Sequence, residues 1–538
     1  MKQIVVFSIF LIAIVEQVFT FQFCNDSMAP DAVSQQLVDF RRRHPRPVGV
    51  LTKITGRPLD IRDTVTLNTD IFTSINFFRL NSHQDRERIP ERLVHAKGVG
   101  GFGYFEVTND VSKYTKADVF NGIGKRTPLV VRFSTARQNR GGSDIDRDAK
   151  ALVVKMYTEE GNLDFITFNI PVFVYRDPID FRSFIRAFRR NPRTQVFDNT
   201  MQWDFLTLKP ESLHANLWLM SDLGLPDGFR KANYFPFHTY EIYNKEGKRY
   251  FVKFNFRTEI GLFNLTNTQG SVLRSEDPDY YNRDLYNAIA NKNYPAWRLE
   301  MDILTKEDLT RVDFDPFDMI RLWKRGSYHT VTIGRLVLNK NVDNHFKDTE
   351  KTGFNPDNLV PGIAGPHDAM FRARKLFYLD AQNYRLGANA ANTPINAPLY
   401  KKTYSRDGVA PVLDNMKDAP NYYPNSFNGP VPYVDESRPK DLPIILQTTA
   451  IDLQPLAEFY NEILESDSHR QRVAENVANT MLNIPHDLEK RALLLLTQVD
   501  MDLGSRVSAA LEALKMVSQM ERLDQITQCF ANADREKD

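Results

Sequence analysis

The sequence predicts an α+β protein: a closed or strongly curved antiparallel sheet forms the core, and helices gather at the C-terminal end. Three observations predict it. Short β-rich runs recur from about residue 93 to 340, and polar turn segments such as "NKEGK" lie between several of them. Residues 341 to about 440 are instead rich in Asn, Pro, Gly and Tyr. From about residue 452 the apolar residues fall at helical spacing.

Taken in order, the chain opens with "MKQIVVFSIFLIAIVEQVFT", where Lys2 precedes an apolar run from Ile4 to Val15 and the polar pair Glu16–Gln17 follows. Val18 and Thr20 are small enough for a signal peptidase, so residues 1–20 read as a cleaved secretory signal. The apolar run is short for a membrane span. The protein is therefore expected to be secreted and extracellular. Residues 21–92 read as an N-terminal arm, polar and Arg-rich at "DFRRRHPRPVG", with too little apolar content for a core of its own.

Residues 93–340 read as the sheet, with strands at "TPLVVRFST", "AKALVVKMYT", "ITFNIPVFVY", "TYEIYN", "YFVKFNF" and "TIGRLVLN". Closure of such a sheet removes its edges. Residues 341–440 read as a segment wrapped over the sheet, because a structureless stretch that long is normally functional. Residues 441–538 read as helical, carried by "PLAEFYNEIL", "QRVAENVANTML", "LEKRALLLLTQV" and "SRVSAALEALKMV".

Composition narrows the function. A formal net charge of +1 over 538 residues gives no electrostatic case for a nucleic acid or an anionic membrane as partner. Cys24 and Cys529, in an oxidising compartment, are open to pairing with each other, pairing between subunits or staying free. The triplets Asn25-Asp-Ser and Asn264-Leu-Thr are acceptors for glycans where exposed.

Two features carry chemistry. His95 stands between a charged stretch and a run of small and aromatic residues, a position that suits a packed core histidine as well as a buried base. In "RARKLFYLDAQNYRLG", Arg374 precedes Tyr378 by one helical turn, so a guanidinium can lie against the phenol and favour its ionised form. Alone, that pair describes any exposed helical couple.

Together the segments resemble the haem catalases. "RERIPERLVHAKG", "VRFST", "YTEEGN", "DPDY", "YNAIA", "FDPFD", "RLVLN", "APNYYPNSF" and the Arg374/Tyr378 helix occur in that family's order and spacing, from about Pro47 to at least Phe427. The resemblance implies an antiparallel eight-stranded β-barrel core, haem b as cofactor, hydrogen peroxide or a small organic peroxide as substrate, and a homotetramer. It implies that His95 is the distal acid–base, that Ser134 orients its ring, and that Tyr378 is the iron ligand. Arg374, His238 and Asp368 match the relay behind that ligand. Arg92, Arg132 and Arg385 match the arginines that hold the haem propionates. Val94 and Phe181 match apolar residues against the porphyrin, and Asp148 the acid of the access channel.

The sequence also departs from the pattern. Where the family has its distal asparagine, this chain has Phe168, in "Phe168-Asn169-Ile170-Pro171". Asn169, one residue along a strand, would face the other way. Reduced or altered dismutation is expected, with the peroxidase half-reaction less affected. Channel positions differ at Ala136, Ala151, Leu152 and Phe188. In the optional nucleotide site His214 and Ser221 match, whereas Leu223, Arg257 and Arg325 replace the usual residues, so weak or absent NADPH binding is expected. Two alternatives stand beside the main reading. One is a lipid-hydroperoxide enzyme, against which Val94 argues because such relatives carry threonine there. The other is a catalytically weak haem-binding or structural protein.

Overall fold

The structure, a computed structural model, describes residues 31–64, 75–425, 427–439 and 452–535. The secretory signal, Cys24 and the Asn25 triplet lie outside the described residues.

The chain forms two compact units, 1–59 and 60–538. In the first, helix α1 (Ala32–Arg43) buries none of its residues and ends on Arg41, Arg42 and Arg43, where cations suit the negative end of the helix dipole. Such a helix brings no core, in keeping with its polar sequence.

The second unit, which also holds helix α2 (Ile75–Arg86), is built on one antiparallel sheet. Its strands are β1 (Gly98–Val107), β2 (Arg126–Thr135), β3 (Lys150–Thr158), β4 (Gly161–Phe168), β5 (Tyr240–Tyr243), β6 (Arg249–Thr258), β7 (Ala296–Thr305), β8 (His329–Asn341) and β9 (Ile363–Pro366). They pair in the order β4-β3-β2-β1-β8-β7-β6-β5-β9. Eight strands come from the stretch read as β-rich. The ninth is four residues from the wrapping segment, which pair with β5 and cover its outer edge. Residues 234 and 235 tie the two halves together, with Tyr234 bridging Phe256 of β6 and Phe235 bridging Phe168 of β4.

Alternation along the strands sorts the side chains onto two faces. Leu152, Val154 and Met156 of β3 and Leu163 and Phe165 of β4 join the main core, with Phe133, Phe254, Trp297 and Leu336. Each large apolar side chain buried this way contributes about 2–3 kcal/mol. Ala151, Val153 and Ile166 face the other way and pack with Phe354, against Phe168 and Tyr378.

The stretch read as β-rich also contains helices. After β4 come α3 (Phe181–Ala187), α4 (Asn199–Leu208) and α5 (Glu211–Met220), and between β6 and β7 come α6 (Asn267–Glu276) and α7 (Tyr280–Ala290). The wrapping segment holds α8 (Ala369–Leu386), and the C-terminal part forms α9 (Gln454–Glu458), α10 (Asp467–Met481), α11 (His486–Val499) and α12 (Met501–Arg535). The C-terminal helices share a core with α4 and α5: Trp203, Leu206, Leu213 and Leu217 pack with Val473, Val477, Leu496 and Leu503. Trp203 also donates its indole N–H to Thr480 Oγ1 at 2.9 Å. This helical layer forms one wall of the cavity described next.

Candidate active site

Register across β1 to β4 assembles one side of the site. Gly98 pairs with Ser134, Ser134 with Ala151, and Ala151 with Phe168, so one row crosses four strands. Two residues along, the next row is Gly100, Arg132, Val153 and Ile166. Paired residues share a face. Ser134, Arg132 and Phe168 are therefore neighbours although 36 residues separate the outermost two in sequence. Gly98 has no room for a side chain: a Cβ there would lie 2.7 Å from the Arg132 guanidinium carbon.

His95 precedes β1 with φ 61°, a left-handed conformation that costs a non-glycine residue about 1 kcal/mol or more. Two bonds hold it: its N–H donates to Ala136 O at 2.9 Å, and ring Nδ1 lies 3.0 Å from Ser134 Oγ. Its Nε2 is left for the cavity. Burial, then the positive charges of Arg132, Arg92 and Arg374, push its pKa down to about 3. The ring is neutral at physiological pH. The Phe168 ring stacks beside it, 5.5 Å between centroids and inclined by 22°. Phe168 also packs on Phe173 and Phe237. Asn169 faces away, as the strand period requires: its Oδ1 accepts from Lys150 N and its Nδ2 donates to Leu223 O, each at 2.8 Å.

Opposite stands a chain of hydrogen bonds running along α8. Asp368 caps the helix by accepting from Phe371 N at 2.7 Å, and its other oxygen lies 2.8 Å from His238 Nδ1. Arg374 Nη1 donates to His238 Nε2 at 2.6 Å, and Arg374 Nη2 donates to Tyr378 Oη at 3.2 Å. Burial lowers the pKa of His238. Burial alone would raise that of Asp368, but His238, the Phe371 N–H and Arg374 outweigh it and lower it. A neutral imidazole with its proton on Nδ1 thus links a carboxylate to a guanidinium, whose charge sits beside the Tyr378 oxygen.

A third group lies to the side. Arg92 donates to Glu350 Oε1 and to the carbonyls of Thr349, Glu350 and Thr352. Arg385 donates to Pro90 O and Glu350 O, and Arg132 to Ala96 O. Burial lowers all three arginine pKa values, Arg132 to about 10, and mutual repulsion adds to it for Arg92 and Arg132. Burial works to raise that of Glu350, but His345, Arg92 and Arg132 hold it down at about 2. Three guanidinium groups face one carboxylate, and Arg132 Nε is buried with no partner among the described residues. The imbalance suits a ligand with two negative charges.

Each group sends side chains to one cavity of about 860 Å³ (His95, Ser134 and Phe168; Arg374 and Tyr378; Arg92, Arg132 and Arg385), shared with Val94, Phe181, Phe354 and Phe377. A profile of the catalase family matches residues 61–429. The chain belongs to the catalase family. It is 43% identical over 438 residues to the catalase of Glandirana rugosa, covering 80% of this chain and 83% of that one. It is 40% identical over 505 residues to the catalase of Mus musculus, covering 91% and 94%. A bacterial catalase superposes with TM-score 0.82 at 34% identity, covering 91% of this chain and 99% of that one, and a fungal catalase with TM-score 0.80 at 32%, covering 87% and 97%.

Catalases generally bind haem, and the residues present fit an iron porphyrin. Arg92, Arg132 and Arg385 would meet its two carboxylates, Tyr378 its iron, and Val94, Phe181, Phe168 and Phe354 its apolar surface. All the residues singled out in the sequence for the catalase site are brought together here, His238 and Asp368 as a buried relay behind the cavity wall. Asp148 lines the cavity but is occupied by Arg137 N at 2.5 Å, Ala149 N at 2.9 Å and the Arg137 guanidinium at 3.4 Å. Of the channel positions, Ala136, Ala151 and Phe188 line the cavity. Leu152 turns instead into the main core, because it is one residue out of phase with Ala151.

Sequence reasoning passed over Glu350, Phe354, Phe173 and Phe237. A charge in "FKDTEK" or a phenylalanine in "KTGFNP" bears no local mark of a site. Only the ion pair of Glu350 with Arg92, 258 residues away, reveals its place.

Proposed function

We propose that the chain is a secreted, haem-dependent enzyme acting on hydrogen peroxide, in which Phe168 weakens dismutation and leaves the peroxidase half-reaction less affected. The observation that carries this reading is the His95–Ser134 pair facing the cavity, with the Phe168 ring stacked where a hydrogen-bond donor would be needed. Bound here, an iron porphyrin supplies two-electron redox chemistry at the metal. His95, neutral and held by Ser134, accepts a proton from peroxide at Nε2 and returns it to the departing oxygen. Tyr378 would hold the iron through its oxygen, and Arg374 keeps a positive charge beside that oxygen. The clamp of Arg92, Arg132 and Arg385 orients the group by its carboxylates.

A phenyl ring can neither hold peroxide during O–O cleavage nor orient a second molecule. Loss of one such donor typically lowers the rate by about two to three orders of magnitude. The test is Phe168→Asn: at equal haem content, oxygen evolution on hydrogen peroxide should rise at least about tenfold. No rise would overturn the assignment of Phe168 as the limiting residue.

Weak nucleotide binding belongs to the same reading. His214 Nδ1 is committed to Ile320 O at 2.7 Å and Nε2 to the Trp218 indole at 3.1 Å, while the Arg257 guanidinium lies over Phe235. Secretion rests on the first 20 residues, and N-terminal sequencing of exported protein should begin just after Thr20.

A further inference from the structure

Among the described residues, two buried side-chain polar atoms without a hydrogen-bond partner belong to residues lining the cavity: Arg132 Nε and Ser212 Oγ. The anion clamp accounts for the first. Nothing yet accounts for the second. Ser212 is 1% exposed and lies on α5. One helical turn on, Asn216 is also buried and lines the same cavity, and its amide makes no hydrogen bond among the described residues.

The helical side of the cavity offers an aromatic wall beside the polar Gln202, Asn476, Asn479 and Thr480. Phe184, Phe188, Trp203 and Leu206 line the cavity with Ser212 and Asn216, and Phe184 and Phe188 stack at 4.4 Å. A buried hydroxyl without a partner is destabilising until something bonds to it. The Asn216 amide, which is not among the buried unpaired groups, is free to bond into the cavity. Water can satisfy a hydroxyl. An amide–hydroxyl pair beside an aromatic wall also matches a ligand with an apolar body and one oxygen function that both donates and accepts.

We propose that Ser212 and Asn216 form a binding subsite for an aralkyl hydroperoxide or its alcohol. The hydrocarbon part packs on Phe184, Phe188, Trp203 and Leu206, and the O–H group bonds to the serine hydroxyl and asparagine amide. The proposal rests on the peroxide reading above and names a substrate class for the same cavity.

A non-reacting probe tests it on the haem-loaded protein: 2-phenyl-2-propanol, titrated by calorimetry. The dissociation constant should rise about tenfold in Ser212→Ala and in Asn216→Val. The KM for cumene hydroperoxide should rise by a similar factor relative to the KM for hydrogen peroxide in the same variants. If the alcohol fails to bind the unaltered protein, or binds both variants as tightly as the unaltered protein, the subsite is refuted and Ser212 is completed by solvent only. A parallel rise in both KM values refutes it too. If the alcohol binds as expected but the unaltered protein turns over no hydrogen peroxide, the peroxide reading fails and the subsite stands.

Discussion

Ser134 is fully buried and its hydroxyl is one of the two anchors that hold His95 at a positive φ. Ser134→Ala keeps the strand and removes the anchor, so the imidazole can tilt away from its working position. Turnover should fall about tenfold at unchanged haem content, with a stability loss of about 1 kcal/mol. An oxygen electrode and the Soret absorbance separate the two effects. His214 gives a residue-scale prediction of a different kind. Burial lowers its pKa to about 4, and both ring nitrogens are bonded in the neutral form. In the unfolded chain its pKa is about 6.5. Below that pH the unfolded state takes up a proton that the folded state refuses. The stabilising contribution is therefore full above about pH 6.5 and declines as pH falls toward 4. Guanidinium midpoints at pH 7 and pH 4.5 should differ by more in the unaltered protein than in His214→Gln.

At the scale of elements, the sheet carries its chemistry in rows, and the third row closes with a buried ion pair. Lys155 on β3 and Asp164 on β4 are paired residues, almost inaccessible to solvent, and Lys155 Nζ lies 2.8 Å from both carboxylate oxygens. Asp164 also accepts from Asn355 N and Asn358 Nδ2, which ties the turn carrying Phe354 to the sheet. Asp164→Asn would leave a buried ammonium without its counter-charge and should cost about 3–5 kcal/mol by denaturant titration. The double change Lys155→Met, Asp164→Leu removes both charges and should cost less.

Strands β2, β3, β5, β6 and β8 were legible in the sequence because β-rich runs sit between polar turns. The run read at 166–175 meets β4 only from Ile166 to Phe168, where the chain leaves the sheet at Asn169 and turns through Pro171. Strand β9 was not legible, since four residues of "IAGP" carry no period. Helices α4 and α5 escaped for another reason. Helix α5 is buried nearly all round, between the cavity and the C-terminal helices, so its sequence shows no polar face. Helices α10 and α11 show one and were readable.

On the scale of the whole molecule, the segment from α8 to residue 434 leaves many apolar side chains in solvent. Leu376, Tyr384, Tyr400, Val409, Val431, Tyr433 and Val434 are all exposed in the single chain. Soluble monomers rarely leave so much apolar surface along one segment uncovered, and association between copies would bury it. A homotetramer, as expected from the sequence, is one assembly that would cover it. Sedimentation of the purified protein should give a mass about four times that of the purified chain, which is 62.1 kDa at full length. Tyr433→Glu combined with Val434→Glu places two charges where such an interface would be dry. Smaller species should then appear without loss of the Soret band of the remaining haem protein, because neither residue lines the cavity. A protein that sediments as one chain at micromolar concentration would show that the exposed segment serves some contact other than self-association.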